Sequence, residues 1–295
     1  MSNIIPIILL VLPVNLLCQD SFENGILDRL CGLKAGEKAH YNLGEYAIFT
    51  DQVRWEFTSK NIKKLKKKYK VKRIKEVATN SLTQKNKVIT KKSPLKGGNM
   101  EITTLYFVES EATDIAIIGF YSVNFRDSIE EQNFVKLHLE SKIPESIFMQ
   151  YPVAKVDFAG RDLELNNSCN WMDVNNIQCP HFGQMNWSLH KSLEHAKEQT
   201  KIQYEITKGK RMAKLISEEE VPIIFEGKET IAKRTNYKAK IPKFLMRGSN
   251  ELIIYYVSEE IRGRYISCVL SHYKNDKITE NGVPALLEKV MKLKK

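Results

Sequence analysis

Residues 102–127 read ITTLYFVESEATDIAIIGFYSVNFRD, and residues 252–276 read LIIYYVSEEIRGRYISCVLSHYKND. Each is an apolar run, a charged interruption, a second apolar run with Ser and Tyr near its end, and a polar exit containing Asp. Short runs rich in Ile, Val, Tyr and Phe read as strands. The interruptions VESEATD and SEEIRGR are short enough to be hairpin connections. A hairpin met twice predicts two copies of one unit.

The flanks repeat as well. DQVRW (51–55) and GQMNW (183–187) both place a glutamine three residues before a tryptophan, and a polar helical stretch follows each. Trp55, Ile62, Leu65 and Tyr69 fall on one face of the first helix, and Leu189, Leu193 and Ala196 play that part in the second. After each hairpin comes a further helical stretch, NFVKLHLESKI (133–143) and GVPALLEKVMKLKK (282–295). Pro284 sits just inside the last of these, with Asn281 as its candidate cap. The expected fold class is α+β: two tandem, duplicated α/β-sandwich domains with antiparallel sheets and flanking helices. The expected domains are 19–150, with the Lys-rich helix, and 151–295, the strand-like run at Val153 opening the second.

Ile4 to Leu17 is almost wholly apolar. It is shorter than the ~20 residues that span a bilayer and has the length of a secretory h-region. Residues 1–18 therefore read as a signal peptide, and the protein as exported, periplasmic or extracellular. The alternatives are a retained N-terminal membrane anchor or lipidation of Cys18.

Beyond Cys18 the chain has Cys31, Cys169, Cys179 and Cys268, an even number that favours disulfides in an exported protein. Cys169 and Cys179 close the shortest loop; Cys31 and Cys268 then pair or both stay free. In QCPHFG (178–183), Cys179 and His181 are weak candidates for a nucleophile and its base, since catalytic Cys and His usually meet through the fold. Cys268 and His272 lie four apart on a strand, on one side but far from touching. His190 and His195, five apart, share no face if both are helical. No catalytic residue, metal ligand or cofactor site is assigned: C-x-x-C, H-E-x-x-H, G-x-S-x-G, the P-loop and G-x-G-x-x-G are all missing.

The net charge is +11, and the excess of Lys/Arg within residues 51–100 exceeds that figure, so the rest of the chain is slightly acidic. The run KKLKKKYKVKR offers Lys63, Lys64, Lys66, Lys67, Lys68, Lys70, Lys72 and Arg73 as contacts for an anionic surface. Lysine dominates and Tyr69 lies on the apolar face, so nucleic acid is disfavoured as a partner. An anionic glycan, a lipid surface or an envelope protein fits better. The leading expectation is an exported, non-catalytic binding or envelope-associated protein. The rivals are a secreted thiol-type enzyme or hydrolase using Cys179 or Cys268 with a histidine, and anionic-surface binding through Lys63–Lys75.

Overall fold

The computed structural model describes residues 25–71, 74, 76–77, 81–110, 114–166, 168–210, 213–240 and 250–294. The expected signal peptide with Cys18, and Lys72, Arg73 and Lys75 of the basic run, lie outside the described residues.

Both quoted stretches fold as antiparallel hairpins, and each forms the middle of a large sheet. The first half comprises β1 (Cys31–Ala35), β2 (Lys38–Leu43), β3 (Tyr46–Val53), α1 (Ser59–Lys68), β4 (Glu76–Val77), β5 (Asn86–Pro94), β6 (Met100–Glu109), β7 (Ile115–Val123) and α2 (Ser128–Leu139). A small hairpin follows, β8 (Lys155–Asp157) with β9 (Asp162–Glu164). The second half comprises β10 (Asn170–Asp173), β11 (Asn176–Cys179), β12 (Gly183–His190), α3 (Leu193–Lys208), β13 (Ala213–Phe225), β14 (Lys228–Ala239), β15 (Glu251–Ile261), β16 (Arg264–Tyr273), α4 (Ala285–Glu288) and β17 (Met291–Leu293).

The spatial orders are β1-β2-β3-β7-β6-β5-β4 and β10-β11-β12-β16-β15-β14-β13, with β17 added at the outer edge of the second sheet. They are the same order. In each half a three-stranded meander leads through a helix into a four-stranded meander, whose last strand returns antiparallel beside the third. The repeat lies in topology rather than in the tryptophans. Gln52 pairs with Ala116, near the hairpin end of β7, whereas Gln184 pairs with Ser271, near the far end of β16. Trp55 follows β3 and is 37% exposed, while Trp187 is buried in mid-strand opposite Cys268. The two QxxW motifs are thus out of register. The longer middle of the second half is the β13–β14 hairpin, whose strands run to 13 and 12 residues against 2 and 9 for β4 and β5.

Alternation along the strands explains the layers. Leu105, Phe107, Ile115 and Ile117 pack under Ile62 and Leu65 of α1. Their neighbours Tyr106, Val108, Ala116 and Ile118 pack on the other face with Phe134, Val135 and Leu137 of α2. A strand covered on both faces has no polar side to show, which is why β6 and β7 read as continuous apolar runs. Gly119 completes this packing: a Cβ there would lie 1.9 Å from the Phe49 ring.

α1 begins where Thr58 caps the N–H of Asn61, and α2 where the Asp127 carboxylate accepts from Ile129 and Glu130 N–H. α3 is capped by Ser192 and begins at Leu193, so Leu189 belongs to β12 and not to the helix. The expected last helix shrinks to the four residues of α4, with Pro284 at its N-cap, because Met291–Leu293 pair with β13 as a strand. Asn281 contributes its side-chain amide to Glu288 rather than a cap.

Within α2, Glu131 is fully buried. It accepts from Tyr46 Oη at 3.3 Å, Tyr106 Oη at 3.1 Å and Arg126 Nη2 at 3.2 Å. Burial first, then the Glu131 charge, holds both tyrosine hydroxyls far above their ordinary ionisation range.

Cys169 and Cys179 form a disulfide across ten positions of sequence, while Cys31 and Cys268 are free thiols and do not pair. Their positions explain it: Cys31 is on the edge strand β1 of the first sheet, and Cys268 is in the core of the second. Thiol titration of the denatured, unreduced protein is expected to find Cys31 and Cys268 reactive and Cys169 and Cys179 silent. Replacing Cys169 and Cys179 by serine should cost about 2–3 kcal/mol, the loop-closure value for a short loop. An unchanged urea midpoint would contradict it.

Candidate functional site in the groove between the halves

The structure separates the residues that looked reactive. The Cys179 sulfur is in the disulfide, so it offers no thiolate. His181 is exposed in the β11–β12 turn, in the left-handed region at φ 68°. Cys268 is fully buried, and burial, followed by the charge of Glu226, raises its thiol well above the ordinary range. Cys31 is pushed up to about 11, mainly by burial. Of the basic run, Lys63, Lys64, Lys67, Lys68 and Lys70 are exposed and Lys66 is half-buried. Lys68 pairs with Asp51 at 3.2 Å, and Lys64 lies over the Trp55 ring.

Polar groups gather instead where the halves meet. Glu45, in the β2–β3 turn, reaches the second half through one oxygen, Oε1. That oxygen lies 3.0 Å from His190 Nδ1 and 2.8 Å from His195 Nδ1. A spacing of five on one helix would keep the two rings apart. β12 actually ends at His190 and α3 begins at Leu193, so the turn between them folds both rings onto one carboxylate. Burial pushes the Glu45 carboxyl up. The hydrogen bond and charge of His190, its own backbone N–H and the His195 charge outweigh this, and the net direction is down.

On its other side His190 Nε2 lies 2.8 Å from Ser267 Oγ. Serine, histidine and carboxylate in this order are the contacts of a hydrolase triad. Ser267, however, is only 1% exposed. It pairs in register with Ser258, which is itself bonded to Ala196 and Thr200 of α3. The hydroxyl lies under the helix, so the cluster is a polar seam rather than an accessible nucleophile.

A second layer of charges extends the seam. Arg29 pairs with Glu130, and Lys191 bridges Asp127 at 2.8 Å and Glu130 at 3.1 Å. The Arg29 Nη1 atom is buried with no hydrogen-bond partner among the described residues. At the far end of α3, Lys96 donates to the carbonyl of Gly209 and Asn99 to Glu205.

Beside the seam the halves leave a groove of two adjoining cavities. The outer one, about 670 Å³, is lined by Arg29, Glu130, His190, Lys191, Arg262 and Arg264 among others. The inner one, about 450 Å³, is lined by Leu30, Cys31, Phe148, Trp171 and Trp187 together with Asp28, Lys155, Asp157 and Asp162, among others. Asp28, Leu189 and Arg264 border both. Arg262 and Arg264 flank Gly263 in the β15–β16 turn, where Arg262 and Gly263 both have positive φ, 52° and 73°. That is the pattern of a tight two-residue hairpin turn, in which arginine at the first position is unfavourable. Arg262 is held there by Glu226 and by the Phe158 and Ala159 carbonyls. The sequence signal was in IRGR, read only as a turn.

Among the described residues there is no group of three or more His, Cys, Asp or Glu placed to hold a metal ion, and no helix long and apolar enough to cross a membrane. No protein-family profile matches the chain, and no curated protein sequence does. Two solved structures share features with it at low similarity. The di-domain ARO/CYC StfQ of the steffimycin biosynthetic pathway has 7% identity and a TM-score of 0.15 over 85% of this chain and 77% of its own. DynU16, a protein of the dynemicin biosynthetic locus, has 8% identity and a TM-score of 0.18 over 92% and 87%. Scores this low carry no functional argument.

Proposed function

We propose that the protein is an exported, non-catalytic binding protein that holds a small ligand in the groove between its two halves. The observation that carries this reading is the pair of adjoining cavities walled by both halves, each within the size range of small-molecule sites. The Cys169–Cys179 disulfide supports export, because such bonds persist in oxidising compartments. The reactive-thiol alternative has no support from the positions of Cys179 and Cys268.

Cys31 makes the reading testable, since it is a free thiol lining the inner cavity. A panel of small metabolites is screened for slowed maleimide labelling of Cys31 together with a raised melting temperature. A true ligand at a hundred times its Kd adds about 2.7 kcal/mol of stability. It is expected to slow labelling at least tenfold. A panel in which nothing protects Cys31 counts against the groove.

The exposed lysines of α1 favour a second reading, association with an anionic surface. Vesicles containing phosphatidylglycerol should then sediment the protein at low salt and release it steeply as salt rises, because exposed charges are screened within about 10 Å at 0.1 M. Binding that ignores salt, or fails at low salt, disposes of this reading.

A further inference from the structure

We infer that the groove takes an amphipathic anion, with a carboxylate or phosphate at one end and an apolar body at the other, and that Arg264 is its head-group contact. The inference rests on the groove reading above and specifies its ligand.

The charges of the outer cavity carry it. Arg29, Lys191, Arg262 and Arg264 line that cavity against Asp28 and Glu130. Three of the four cations are held by carboxylates, although Arg29 keeps its buried Nη1 without a partner among the described residues. Arg29 is tied to Glu130, Lys191 to Asp127 and Glu130, and Arg262 to Glu226 and two backbone carbonyls. Arg264 differs. Among the described residues its one carboxylate partner is Asp157 at 3.9 Å, and that side chain is 61% exposed. A pair this long and wet holds an arginine weakly. A guanidinium offers a planar fork that matches a carboxylate or phosphate with two parallel hydrogen bonds.

Register fixes where this fork sits. Residue 264 is the first of β16 and shares a sheet face with Ile266, Cys268 and Leu270, which belong to the second core. Arg264 therefore stands where that core opens, at the border of both cavities. Inward of it Leu30, Phe148, Trp171, Trp187 and Leu189 supply the apolar part of the wall, and Asp28, Lys155, Asp157 and Asp162 line the same cavity. A molecule lying across the border would place its charge on Arg264 and its apolar body against the tryptophans. A neutral head would leave the guanidinium unmatched, and a cationic head would be repelled.

The test uses decanoate, decyl phosphate, decanol and decyltrimethylammonium below their micelle concentrations, read by tryptophan fluorescence and by Cys31 labelling. Decanoate or decyl phosphate is expected to bind at least tenfold more tightly than decanol, and the cation more weakly than decanol. Which of the two anions binds better identifies the head group. Arg264→Gln should abolish the anion preference, so that neither anion binds more tightly than decanol to the variant, and Arg264→Lys should restore part of it for decyl phosphate. Equal binding of decanol and both anions, or a preference that survives R264Q, overturns the inference. If the compounds protect Cys31 without regard to charge, the groove reading stands and the anion class falls. If none protects Cys31 and none of the wider panel does, both fall.

Discussion

Glu131→Leu is expected to remove about 3–5 kcal/mol from the stability of the protein, measured as the urea midpoint multiplied by the m-value. The Glu131 carboxylate is completely buried and is the acceptor for two tyrosine hydroxyls and the Arg126 guanidinium. Removing one member of such a set costs more than the contacts themselves are worth, because the groups left behind keep their desolvation penalty. Tyr46 is only partly rescued by its other contacts, as acceptor for the Asp127 N–H at 2.7 Å and as donor to the Asp127 carbonyl at a long 3.4 Å. The Arg126 side chain is 27% exposed and can regain some water, which sets the cost nearer the lower bound. A double substitution, Glu131→Leu with Arg126→Met, separates the causes. It should recover at least 1 kcal/mol relative to the single change if the stranded cation is the source. A double variant no more stable than Glu131→Leu would show that packing, not charge, dominates at this position.

Much of the fold is legible in the sequence. The hairpins of 102–123 and 252–273 were legible because a strand buried on both faces writes an unbroken apolar run, and their double occurrence pointed to the repeat. The helix at 59–68 was legible from Ile62 and Leu65, at the spacing of one helical face. The tryptophan match was not evidence of the repeat, since a three-residue spacing recurs by accident and says nothing of register. The end of the chain misled for a related reason. Leu286, Leu287, Val290 and Met291 satisfy a helical period, yet Met291 finds a free edge on β13 and pairs there, a tertiary opportunity that no local pattern records. The groove was invisible for the same kind of reason. Arg29, Lys191 and Arg264 are scattered over more than two hundred positions and converge only because the β2–β3 turn and α2 of the first half meet the junction of β12 and α3 in the second. His190 and His195 fall apart on a continuous helix, and a single boundary, β12 ending before Leu193, brings them together.

Glu45→Leu is expected to weaken that junction by about 3 kcal/mol at pH 7 and to flatten the acid limb of the stability profile. The carboxylate is the shared partner of two histidine rings from the other half, and the His190 side chain is wholly buried. Without Glu45, His190 Nδ1 faces no acceptor in a place water does not reach, the situation that makes a broken buried pair expensive. The pH dependence follows from the direction of the Glu45 shift. Its carboxyl is lowered in the folded state, so the unfolded chain binds its proton first as pH falls. The stabilisation is complete above the unfolded carboxyl range, near pH 5, and is lost as pH drops through the lower folded value. Wild-type protein should therefore lose stability between pH 5 and pH 3, and the variant should lose less over that interval, so that the two urea midpoints converge in acid. Asp127 is lowered as well, burial being outweighed by Lys191 and by backbone N–H groups of α2, and Glu259 is lowered too, burial being outweighed chiefly by Lys228, so both contribute to the slope that remains in the variant. Parallel curves, with the same gap at pH 3 as at pH 7, would mean that Glu45 supports the junction by shape and not by charge.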